Sequence, residues 1–179
     1  RPTVPSASMA TNSAVRPLRL RTSDAVSLEA ELTVPTTPIA AVVLAHPHPL
    51  HGGSMQSLVT SELFRTLPDA SCAVIRFNFR GVGTSEGAHG DAIAEQLDIV
   101  AAIDTITSAA PDVPVVVSGW SFGGDTSLAV VDPRIDGWFA VAPTLRILPL
   151  DAYLAGADPR PKFLAIPEHD EFNPPGPAR

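Results

Sequence analysis

Lysine is nearly absent from this 179-residue chain: Lys162 is the only one, and the basic residues total 12 against 19 acidic ones. A formal charge of −7 and a pI near 5.0 leave too little clustered positive charge to neutralise a phosphate backbone, which speaks against a nucleic-acid partner. Cysteine occurs once, as Cys72, so no internal disulfide can form. Its run Cys72-Ala73-Val74-Ile75 is apolar and reads as a buried strand, where a lone thiol packs as a small hydrophobe. No apolar run approaches the roughly 18 residues of a membrane span, and the polar start of the chain lacks the apolar core of a secretory signal. The expected location is therefore cytoplasmic, without a membrane partner. What the chain does have is apolar residues: 45% are hydrophobic and 17% charged, as in a folded domain with buried strands. The length suits one domain, and we expect a disordered tail over residues 1–16 followed by a single domain over residues 17–179.

Apolar residues alternate with polar ones over residues 18–34 around a turn at Thr22-Ser23-Asp24, the pattern of an antiparallel hairpin with one buried face. Residues 39–45 are continuously apolar, as in a parallel strand buried on both sides. Strands are expected again over 72–79, 114–118, 137–141 and 162–166. Between them, the spacing predicts a helix over residues 55–67 capped by Ser54, a second over 91–109 and a third opening at Phe122. In the first, Leu58, Leu63 and Leu67 mark the apolar face; in the second, Glu95, Asp98 and Thr105 are placed on the solvated face. This alternation predicts an α/β fold with a doubly wound, mostly parallel sheet and an N-terminal antiparallel hairpin.

Ligand sites in such sheets lie at the carboxyl ends of the strands. There, Gly119-Trp120-Ser121-Phe122-Gly123 forms a G-x-S-x-G pattern between a strand and a helix, the context in which a serine becomes an exposed nucleophile on a strained turn. Phe122, at the helix start, can offer its N–H to an oxyanion. A second N–H must come from His46-Pro47-His48-Pro49-Leu50-His51-Gly52-Gly53; proline has none, leaving Leu50 as first choice with His48 and His51 as alternatives. After the last strand, Glu168, Asp170 and Glu171 offer a carboxylate to orient a histidine, and Asp170 is the first choice. Arg80, in a glycine-rich stretch over residues 80–87 expected to flank the site, is read as one half of a structural salt bridge.

Together with Ser54-Met55, Arg76-Phe77-Asn78-Phe79 and Phe172-Asn173-Pro174-Pro175, these motifs resemble a family of small bacterial α/β-hydrolases without a large lid. The family lies near the dienelactone-hydrolase and serine-aminopeptidase branches. The resemblance covers about residues 18–175 and implies the α/β-hydrolase fold, Ser121 as nucleophile, Phe122 as an oxyanion donor and Asp170 as the acid. It implies acyl transfer from a small ester or amide to water, with no cofactor or resident metal.

One member is missing. In the order serine, acid, histidine the base should follow Asp170, yet His46, His48, His51, His89 and His169 all precede it. The expectation is a C-terminally truncated piece, its histidine beyond Arg179. The alternatives are a substitute base such as His48, or an inactive relative acting as a binding module. A third reading, a zinc hydrolase, takes the spacing of His46, His48 and His51 as a metal loop, with Leu50 where an aspartate ligand would stand. Residues 143–161 carry no charge or aromatic pattern that names a substrate.

Overall fold

The computed structural model describes residues 14–168. Asp170, Glu171, His169 and residues 1–13 of the expected tail lie outside the described residues. In chain order the elements are β1 (Arg16–Arg21), β2 (Ser27–Thr33), β3 (Ala40–Ala45), α1 (Leu58–Thr66), β4 (Cys72–Phe77), α2 (Glu95–Ala109), β5 (Val115–Trp120), α3 (Phe122–Ala129), β6 (Ile135–Val141) and β7 (Lys162–Ala165). They form one seven-stranded sheet in the order β1-β2-β4-β3-β5-β6-β7. The β1–β2 hairpin joins antiparallel through β2 to β4, and every pair from β4 across to β7 is parallel. This is the mixed sheet expected, with the chain reversing direction of travel across the sheet at β3.

The central strands are buried through their apolar residues, with Ala41, Val43, Leu44, Val74, Ile75 and Val117 all sealed, and the one charge among them, Arg76 of β4, is paired with Glu31. Ile99, Ile103 and Ile106 of α2 pack on one side, while Phe64 of α1 packs on the other against Val42, Leu44 and Val74. Cys72 stands half-buried at the head of β4, its thiol pushed up in pKa by burial.

Two helix expectations need correction. The first helix begins at Leu58 rather than Met55, because the Met55 N–H is taken by Asn78 Oδ1 at 2.8 Å and Ser54 N–H by Ser57 Oγ at 3.1 Å. Leu58 is then 73% exposed, and Thr60 and Phe64 form the buried face instead. In α2, Glu95 and Asp98 are not solvated but fully buried. Asp98 receives the Arg80 guanidinium (2.7 Å) and backbone N–H (2.9 Å), and Glu95 Oε1 accepts the Gly90 N–H at 2.8 Å. Periodicity counts charged residues as outward-facing; a partner from another element reverses that preference.

Candidate active site

The loops at the carboxyl ends of β3, β5, β6 and β7 enclose a cleft of about 780 Å3. Ser121 lies in it, between β5 and α3, with φ 53° and ψ −118°. A side chain at positive φ is strained, and the surroundings hold it there. Ser121 N–H donates to Val141 O at 2.8 Å, and its carbonyl accepts from Asp125 N–H at 3.0 Å. The flanking glycines are required by contact: a Cβ on Gly119 would fall 2.2 Å from the Gly123 carbonyl, and one on Gly123 would fall 2.4 Å from Ala45 O. The strand-turn-helix expected from the G-x-S-x-G pattern is thus the local geometry.

The loop after β3 folds into a short 3-10 turn over Pro49–His51. Gly53 closes it, its missing Cβ making room for Pro47 O, which would lie at 2.1 Å. Within this turn the Leu50 N–H donates to His48 Nδ1 at 3.3 Å, and the Leu50 side chain is 71% exposed. The N–H groups of His51, Gly52 and Gly53 are spent on carbonyls of the same turn. Among the described residues, the His48 N–H has no acceptor, and neither does that of Phe122. The loop's uncommitted donor is therefore His48, one of the alternatives, rather than Leu50.

The histidines divide sharply. His46 turns into the core, fully buried, with Nδ1–H donating to Pro47 O (2.6 Å) and Nε2 accepting the Phe79 N–H (3.0 Å). Both nitrogens are committed, so His46 cannot join His48 and His51 in a metal set, and the zinc reading loses its first ligand. His48 lies in the cleft wall, stacked on His51 with ring centroids 4.6 Å apart and tilted against Phe122 at 4.9 Å. Burial, with help from His51 and His89, holds its pKa below the ordinary value. Because its Nδ1 accepts from Leu50, the neutral ring carries its proton on Nε2. His89 has its ring 5.2 Å from that of His48, with Nδ1 2.9 Å from the buried Glu95 carboxylate in a contact that lacks hydrogen-bond alignment.

Burial pushes His46 from 6.5 down to about 4. A depressed folded-state pKa means that the neutral form stabilises the fold above pH 6.5, and that this contribution is lost as pH falls towards 4. The expected loss is about 3 kcal/mol across that window. Urea unfolding at a series of pH values checks it: His46→Phe should flatten the slope between pH 6.5 and 4, and an unchanged slope would defeat the assignment.

The glycine-rich segment over 80–87 does not flank the cleft as expected. It is tied to the hairpin, with Ser85 Oγ accepting the Glu29 N–H (2.9 Å) and Glu86 N–H donating to Ser27 O (2.8 Å). Within residues 143–161, where the sequence carried no pattern naming a substrate, the loop after β6 brings Thr144, Arg146 and Ile147 to the cleft. Asp125, one turn into α3, holds that loop: its carboxylate accepts from Thr144 Oγ1 (2.6 Å), Thr144 N–H (3.1 Å) and Leu145 N–H (2.7 Å). A lone acid inside the small-residue run Gly123-Gly124-Asp125-Thr126-Ser127 was the available signal.

Residues 36–164 match the family described as serine aminopeptidase, S33. The chain belongs to that family. It is 32% identical over 147 residues to an uncharacterized protein of Rickettsia prowazekii (strain Madrid E), and spans 61% of that relative's length. Among solved structures it is similar to an alpha-beta serine hydrolase homologue from Coxiella burnetii, with TM-score 0.76 and 26% identity over 89% of this chain and 76% of that one. It also shares the fold of an α/β serine hydrolase without lid from Xanthomonas campestris, with TM-score 0.70 and 22% identity over 93% of this chain and 86% of that one. The S33-family chain is thus an α/β-hydrolase, as its motifs suggested. Among the described residues no helix is long and apolar enough to cross a membrane.

Proposed function

We propose that the chain is a serine hydrolase that transfers the acyl group of a small ester or amide to water. Ser121 Oγ attacks the carbonyl carbon, the N–H groups of Phe122 and His48 receive the oxyanion, and the leaving alcohol or amine departs with a proton. Water then attacks the acyl-enzyme and restores the serine. The step calls for no cofactor. The observation that carries the reading is the strained Ser121 backbone, held at φ 53° in the cleft by Val141 and the two glycines.

The serine proton needs a base, and two histidines near the cleft are unsuited to the task. His46 is sealed in the core with both nitrogens engaged. His48 presents a protonated Nε2, which can donate to substrate but not take a proton. His51 is the cleft imidazole with no hydrogen-bond partner among the described residues. Asp170 remains the proposed acid on its position after β7, where Pro167 already lines the cleft.

Incubation with a fluorophosphonate followed by peptide mapping tests the reading. The adduct should appear on Ser121 and on no other serine, and denaturing the protein beforehand should abolish it. A folded full-length protein that stays unlabelled at Ser121 under prolonged exposure overturns the hydrolase assignment.

A further inference from the structure

Arg146 is the fixed positive charge of the Ser121 cleft. Five of the eight other arginines among the described residues are neutralised within the fold: Arg65, Arg76, Arg80, Arg134 and Arg160 each meet a carboxylate at 2.5–2.9 Å. The Arg146 guanidinium has no such partner among the described residues, although acids outnumber bases 19 to 12 in the chain. No carboxylate stands among the described residues lining the cleft. In an acidic protein, an arginine left unpaired inside the cleft is available to a negatively charged ligand.

Its placement is built rather than incidental. Arg146 follows Ala142 and Leu145, both at positive φ (46° and 53°), in a loop that runs from the carboxyl end of β6. The Asp125 carboxylate pins Thr144 and Leu145 through three hydrogen bonds, and Arg146 N–H donates to Thr144 Oγ1 at 3.4 Å. Asp125 itself is four residues from Ser121 on the helix that Ser121 begins, and its own N–H bonds the Ser121 carbonyl at 3.0 Å. The same helical turn therefore sets the nucleophile and the backbone that carries the guanidinium. Two strained residues, Leu145 held by a buried carboxylate and Ala142 by the Ala165 carbonyl, are a costly way to place an arginine at a surface where any flexible loop would do. Leu58, Trp120 and Ile147 make part of the wall apolar, beside the uncharged polar groups of Ser57 and Thr144 and the imidazoles of His48 and His51.

We propose that Arg146 binds a carboxylate, so that the substrate is an ester or amide whose apolar body also carries a carboxylate away from the scissile carbonyl. This rests on Ser121 being the nucleophile for its substrate part, and on the cleft alone for its binding part. Guanidinium and carboxylate match in a planar, two-pronged geometry that an ammonium cannot reproduce. The protein's overall negative charge does not forbid it: charges beyond roughly 8 Å are screened at physiological salt, leaving the local guanidinium dominant.

The test pairs two activated esters of equal length, para-nitrophenyl hexanoate and the mono-para-nitrophenyl ester of adipate, and reads the ratio of their kcat/KM values. The ratio should favour the adipate ester about 10-fold or more, decline with added salt, and fall about 10- to 100-fold in Arg146→Gln, with partial recovery in Arg146→Lys. Calorimetric titration of Ser121→Ala with adipate reads binding without turnover; binding should be lost in the Ser121→Ala, Arg146→Gln double variant. Turnover of both esters at a ratio unaffected by Arg146→Gln overturns the proposal and leaves the hydrolase reading intact. Turnover of neither ester, with adipate binding still dependent on Arg146, overturns the hydrolase reading and supports the carboxylate site.

Discussion

Arg80→Met should cost about 3–5 kcal/mol of unfolding free energy, the cost of stranding a buried charge. Arg80 is 5% exposed, and its guanidinium bridges Asp98 at 2.7 Å and Asp24 at 2.9 Å, with Asp98 fully sealed on the inner face of α2. Removing the cation leaves the Asp98 carboxylate with the Arg80 N–H as its remaining donor. Burial already pushes the Asp98 pKa up against the opposing pull of Arg80, so without Arg80 the group must take up a proton to stay inside. A domain of this size holds only about 5–15 kcal/mol in all, so the loss removes a large share of it. Urea denaturation at pH 7 measures the effect, and the Arg80→Met, Asp98→Leu double variant should recover part of it because both charges are then gone. A single-variant loss below about 1 kcal/mol would show the pair to be dispensable.

Gly123→Ala should destabilise the chain by roughly 3 kcal/mol and eliminate fluorophosphonate labelling of Ser121. In an ordinary helix the same change stabilises by up to about 1 kcal/mol, since alanine loses less backbone freedom than glycine. Here the new Cβ would lie 2.4 Å from Ala45 O and 2.6 Å from His46 O. These are backbone atoms of a central parallel strand and of the residue after it, so neither can swing aside as a side chain would. Relief requires α3 to move away from β3, which carries Ser121 away from the His48 N–H. Thermal unfolding and peptide mapping together distinguish this from a simple folding defect: a variant with unchanged melting temperature and full labelling refutes the close-packing argument.

The apolar runs made the strands legible, because a strand buried on both faces has no polar residues to confuse the reading; the expected strand over 39–45 is β3 (Ala40–Ala45). The hairpin was legible for the complementary reason, one wet face and one dry, and its turn at Thr22-Ser23-Asp24 falls between β1 and β2. The start of α1 was not legible, since it depends on Asn78, from another strand end, taking the Met55 N–H. Nor was the burial of Glu95 and Asp98, each of which is satisfied by a group outside its own helix.

The site divides along the same line. The strand-to-helix turn at Ser121 and Phe122 could be read directly, because the glycines that permit it are neighbours in the chain. The distinction between His46, His48 and His51 could not: equal in residue type and close in sequence, one is a core residue and two face the cleft.

By itself, then, the sequence determined the alternation of strands and helices, the parallel core and the position of the elbow, all set by side-chain polarity and local backbone freedom. Tertiary structure alone decided which N–H groups stay uncommitted, which charges are neutralised and which arginine is left unpaired in the cleft. Hydrogen bonds and ion pairs are made between residues distant in the chain, from Glu31 to Arg76 and from Asp125 to Thr144, and no local pattern announces them.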